Sequence, residues 1–119
     1  MHAAPLIRGE ITFDSAVRPF TGATLYVHLE NITDADIAST SVAIYVEREV
    51  SFDPRAAKPL TFAIAGKAPD PGASYVVRAH IDLDDDGEVS RGDFVSTQSY
   101  PVITFGHPTE ITLVVRQVK

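Results

Sequence analysis

The sequence predicts an all-β chain: an antiparallel β-sandwich of about seven strands forming one domain over residues 1–119, with a small β-barrel as the alternative. Three observations carry this. Apolar residues recur with period two over segments of five to twelve residues. Turn-forming Pro, Gly and Asp separate those segments. No stretch holds the 3.6-residue period of an amphipathic helix.

The strands follow in order. In LIRGEITF, Ile7, Gly9, Ile11 and Phe13 share one face, with Arg8, Glu10 and Thr12 on the other. Breakers at Arg18-Pro19 and Thr21-Gly22 precede ATLYVHLE, where Leu25, Val27 and Leu29 alternate against Thr24, Tyr26, His28 and Glu30. The following ITDADIAST reads as a helical turn or a loop. SVAIYVEREVSF then puts Val42, Ile44 and Val46 in phase, and Asp53-Pro54 and Pro59 close it. LTFAI groups Leu60, Phe62 and Ile64. After Pro69-Asp70-Pro71-Gly72, SYVVRAHI sets Tyr75, Val77, Ala79 and Ile81 against Val76, Arg78 and His80. FVSTQS, then ITLVVRQ with Ile111, Leu113 and Val115 in phase, complete the set beyond Gly106-His107-Pro108. Which strand is left at a sheet edge is not written in the pattern, and an exposed edge is a place for a protein partner to pair.

Composition removes several function classes. Ten Lys and Arg stand against sixteen Asp and Glu, a net charge of −6, with no basic stripe, which excludes a phosphate-backbone binder. The longest apolar runs, SVAIYV and ITLVV, are too short to span a bilayer, so no transmembrane segment is expected. MHAAPLIRGE lacks the charged and apolar regions of an export signal, so the chain is expected to be cytosolic or the trimmed form of an exported protein. There is no cysteine, and so no disulfide.

The chemistry is concentrated in IDLDDDGEVSRGDF. Counting from Asp82, positions 1, 3 and 5 are Asp82, Asp84 and Asp86, and position 6 is Gly87. Glu88 at position 7 is expected to ligate through its carbonyl, Ser90 stands at position 9 and Asp93 at position 12. A hard cation takes six to eight oxygens, and alternate residues of a curled loop can all point at one, with the glycine permitting the tight turn. These six residues are the predicted calcium ligands, with magnesium as the alternative ion. Val89 is expected to anchor the loop to the core, and Asp85 to be solvated. Strands flank the loop, so no helix-opening switch is implied, and the ion's expected role is structural. Asp93 replaces the bidentate Glu usual at the last position, which points to micromolar to millimolar affinity.

Other motifs carry little. Arg91-Gly92-Asp93 falls inside the acidic loop, and Asn31-Ile32-Thr33 is a glycosylation triplet at a strand end. His2, His28, His80 and His107 share no ligand spacing, and His80, though in phase with Asp82, is expected in solvent. Nothing resembles a nucleophile elbow or a phosphate-binding glycine loop, so an enzyme is not expected.

The segments GEITF, GATLYVHLEN, PLTFAI, PGASYVVRAHID, STQSYPVIT and ITLVVRQV, in that order, resemble the YscW-like (or YbaY-like) family of type III secretion lipoprotein chaperones, from about residue 7 to 118. The resemblance implies an envelope β-sandwich, often lipid-anchored, with chaperone or partner-binding roles; no catalytic residue carries over from it. The acidic loop is not part of the likeness, and the chain has no lipobox cysteine.

The resulting expectation is a non-enzymatic, calcium-stabilised module that binds a protein partner, in the periplasm or at the cell surface where calcium is abundant. Two alternatives differ in kind. A carbohydrate- or surface-binding module would set Tyr26 and Tyr45 side by side on an outward face. A metal-dependent hydrolase would open a deep pocket beside Asp82.

Overall fold

The computed structural model describes residues 5–33, 40–56 and 58–119. Eight strands follow in the order β1 (Ile7–Phe13), β2 (Phe20–Asn31), β3 (Thr40–Phe52), β4 (Leu60–Ile64), β5 (Tyr75–Asp82), β6 (Phe94–Ser96), β7 (Tyr100–Val102) and β8 (Glu110–Gln117). A short 3-10 turn, Pro54–Ala56, lies between β3 and β4. Most of the segment between β2 and β3, expected as a helical turn or a loop, lies outside the described residues.

The all-β class stands, and the strands adopt the barrel-like arrangement. They form one sheet in the order β3-β2-β5-β6-β8-β1-β4, with β7 beside β6 on the same edge of β5. Two separate sheets do not form because β5 bonds to β2 along one side and to β6 and β7 along the other, which carries the hydrogen bonding through without a break. One pairing departs from the antiparallel expectation: β1 runs parallel to β8, from Arg8 opposite Glu110 to Phe13 opposite Val115. Parallel neighbours need a long connection, and here almost the whole chain supplies it. The two edge strands, β3 and β4, approach each other without pairing, so the barrel has an open seam.

The predicted inward faces of β1, β2, β4, β5 and β8 are the core. Ile7, Ile11, Leu25, Val27, Leu29, Phe62, Ile64, Val77, Ile81, Leu113 and Val115 are all buried. Each such side chain stabilises the fold by about 1.5–3 kcal/mol relative to an exposed one. Gly9 has a specific reason. A Cβ there would collide with the Ile111 carbonyl of β8 and the ring of Phe62, so only glycine lets β1, β4 and β8 close at this point.

β3 is the exception. Its register sets Ala43, Tyr45 and Glu47 opposite Leu29, Val27 and Leu25, the inward residues of β2. Val42, Ile44 and Val46 are thereby forced outward and stay 49%, 48% and 42% exposed. The expected outward placement of Tyr45 is corrected for the same reason: its ring packs against the core. A bulge between Glu47 and Val50, with Glu49 at φ 57°, then reverses the phase and buries Val50.

Candidate functional site

The acidic loop begins where β5 ends. Asp82 has no exposed surface, and its two oxygens accept the Asp85 amide (2.9 Å) and the Gly87 amide (2.8 Å). Asp85 at φ 56° and Gly87 at φ 77° supply the left-handed backbone that curls the chain over that carboxylate. Asp93, 1% exposed, closes the loop. Its Oδ1 accepts the Leu83 amide at 3.0 Å, and its Oδ2 accepts the Ser90 amide at 3.1 Å. The Ser90 hydroxyl donates to Asp84 at 2.9 Å, and the Glu88 amide donates to Asp86 at 2.9 Å.

The side chains expected to ligate through carboxylates do converge. One oxygen each from Asp82, Asp84, Asp86 and Asp93 lies within 4.8 Å of the others. Ser90 bridges two of these carboxylates. Glu88 is exposed and enters this network through its backbone amide. Asp85 is exposed as expected, accepting a hydrogen bond from Thr24 (3.3 Å) and facing Arg48 at 3.8 Å. Four carboxylates at this spacing repel one another unless positive charge enters. Burial, then the hydrogen bond with Asp84, push the Asp82 carboxyl above the usual aspartate range. The same hydrogen bond, with that from Ser90, holds Asp84 below it. Crowding of this kind is what a divalent cation would relieve.

Two expectations about the surroundings are corrected. His80 is not in solvent: it is largely buried, with Nε2 at 2.9 Å from Asp93 Oδ2, and it joins Asp82 and Asp93 in a second cluster of ligand atoms. The phase it shares with Asp82 along β5 was the available signal. A nitrogen donor suits transition metals better than calcium, so the loop offers overlapping oxygen-only and mixed donor sets. Val89 does not anchor the loop to the core. It is 58% exposed and lines a shallow polar groove of about 250 Å³ with His28, Arg78 and His80. In that groove burial, then the Arg78 charge, hold His28 below the usual histidine range. Because Asp93 is buried, the Arg-Gly-Asp triplet is not displayed.

The aromatic platform is also corrected. Tyr26 stacks on His80, with centroids 5.7 Å apart on the outer face, while Tyr45 points inward from β3, so the two rings do not lie side by side.

The other feature is the seam. At the end formed by Phe13, Val17, Phe52 and Pro59 it opens into a groove of about 350 Å³, with the rings of Phe13, Phe20, Phe52 and Phe94 clustered there at centroid distances from 4.6 to 6.4 Å. At the end formed by Val42, Ile44, Ala65 and Pro69 it opens into one of about 580 Å³. The sequence pattern shows that β3 is apolar. It does not show that β3 lies at an edge.

The fold defines the class: a nearly closed all-β barrel whose edge strands, β3 and β4, leave an open seam. The particular family follows from the sequence: over residues 2–115 the chain matches the YscW family, described as type III secretion system lipoprotein chaperone, and it belongs to that family. The fold is similar to the solved structure of an alternative pilotin from the type II secretion system of Vibrio cholerae, with a TM-score of 0.74, 22% identity, and 95% of this chain and 96% of that one covered. No curated protein matches the chain.

Proposed function

We propose that the chain is a pilotin-like chaperone of a secretion apparatus. It is an envelope protein, periplasmic or at the cell surface, that binds an apolar segment of a protein partner along the seam between β3 and β4 and catalyses no reaction. The observation that carries this is the exposed row Val42, Ile44 and Val46 on an edge strand beside two grooves. An edge strand with exposed apolar residues is what a binding protein leaves open and other proteins protect. The family's description as a lipoprotein chaperone and the likeness to a pilotin support the reading. The test is site-specific photocrosslinking in cells that make the chain from their own genome. A photoreactive residue replacing Ile44 or Phe52 should give a discrete protein adduct, and one replacing Glu10, on the far side of β1, should give none. Adducts of equal yield at all three positions, or at none, would sink the seam.

In the same reading the loop from Asp82 to Asp93 holds one calcium ion, with magnesium binding more weakly, and the ion ties the end of β5 to the start of β6. The convergence of four carboxylates supports it. Melting metal-stripped chain in EDTA, then with calcium, then with magnesium is the measurement; identical melts at millimolar calcium would remove the ion from the account.

A further inference from the structure

The connection between β7 and β8 is a strained turn that presents an aromatic ring to the outside. Ile103 and Phe105 have φ of 71° and 56°, and Gly106 has φ of 81°. Left-handed backbone is uncommon for any residue with a Cβ and a genuine outlier at a β-branched one, so two such residues in a row of four imply a conformation that specific bonds must hold. The bonds that hold it are present. The Thr104 hydroxyl donates to the Ala73 carbonyl at 2.6 Å in a buried position, Ile103 N–H donates to Pro108 O, and His107 N–H donates to Thr104 O, both at 3.0 Å. The outcome is Phe105 at 66% exposure, the highest of the large apolar residues described. Ile32, also exposed, sits on a neighbouring segment just past β2, where its amide donates to Ser74 O, next to the Ala73 that receives Thr104.

We propose that residues 103–109 form a membrane-contacting tip, with Phe105 and Ile32 entering the headgroup boundary of a lipid surface. Two features favour lipid. The turn ITFGHPT carries no Asp, Glu, Lys or Arg. The acidic loop lies at the opposite end of β5, a strand of eight residues spanning roughly 25 Å, so its charge points away from an anionic surface. A single ring binds lipid weakly alone, so the tip adds contact for a molecule already held at a surface rather than recruiting it.

The proposal rests on the envelope reading only in requiring a membrane at hand, and its test needs no protein partner. The chain has no tryptophan, so Phe105→Trp creates a single reporter. The full chain is held through an N-terminal hexahistidine tag on phosphatidylethanolamine–phosphatidylglycerol vesicles containing a nickel-chelating lipid. Emission from Phe105→Trp should shift to the blue and be quenched by brominated acyl chains, while Val89→Trp at the other end and Ile44→Trp on the flank stay unquenched. Ile32→Trp serves as the second reporter should Phe105→Trp melt early. Absence of quenching at both tip positions, or stronger quenching at Ile44→Trp or Val89→Trp, overturns the proposal and leaves docking at the seam untouched.

Discussion

The acidic loop and the seam solve opposite problems. The loop gathers more negative charge than a folded chain easily tolerates and orients it with internal hydrogen bonds, leaving the repulsion for a cation to relieve: Asp82 and Asp93 are buried, yet each accepts backbone amides on both oxygens. The seam leaves apolar residues uncovered, with nothing in the described chain satisfying Val42, Ile44 and Val46. A site whose groups converge on one another suits a structural ion, whereas one whose groups stay uncovered suits a partner. This separates the proposed structural ion from the proposed partner surface.

The largest effect expected is on the loop. Free calcium at about 100 times its dissociation constant would add about 2.7 kcal/mol, a rise of roughly 10 °C in Tm for a domain of this size. The double substitution Asp82→Ala with Asp84→Ala should abolish that rise in differential scanning calorimetry. A rise that survives it would move the ion elsewhere.

The next prediction separates scaffold from ligand. Asp93→Ala, measured in EDTA, removes the acceptor for the Leu83 and Ser90 amides and the partner of His80. Charged hydrogen bonds contribute about 1.5–3 kcal/mol each, and relief of the repulsion with Asp82 offsets part of this. The net loss expected from urea denaturation is about 2 kcal/mol. No loss in EDTA would make Asp93 a ligand only.

A smaller effect sits beside the seam. Burial, and then the Glu47 carboxylate to which its hydroxyl donates at 2.8 Å, push the Tyr45 phenol up to about 12. The folded chain therefore favours the neutral phenol. That stability is complete below the unfolded phenol value of about 10 and is lost as pH rises through about 12. Tyr45→Phe should flatten this alkaline limb of a stability-against-pH curve, and an unchanged limb would mean that the ring is wetter than the packing indicates.

The smallest effect is the most telling about the seam. Ile44→Asp should change stability by no more than about 0.5 kcal/mol, as for other exposed positions, while removing the photocrosslink from neighbouring Val46. A large destabilisation would mean that Ile44 belongs to the core and is not displayed.

Much of this was legible in the chain itself. Alternation alone located the buried faces of β1, β2, β4, β5 and β8, because a half-buried strand writes its environment into every second residue. The same rule failed at β3, where register against β2 turned the apolar phase outward and drew Tyr45 in. Spacing also located the loop carboxylates, because residues within a dozen positions can meet only in a few ways. It did not bring His80 to Asp93, a contact that depends on how β5 and β6 meet.

The sequence by itself therefore determined the all-β class, most of the core and the convergence of Asp82, Asp84, Asp86 and Asp93, all set by interactions local enough to be encoded in periodicity and spacing. Only the tertiary structure decided that the strands coil into one sheet, that β1 lies parallel to β8, and that β3 and β4 are its edges. Those outcomes depend on which distant strands hydrogen-bond to one another. Pairing is a property of two segments together, and neither segment carries it alone.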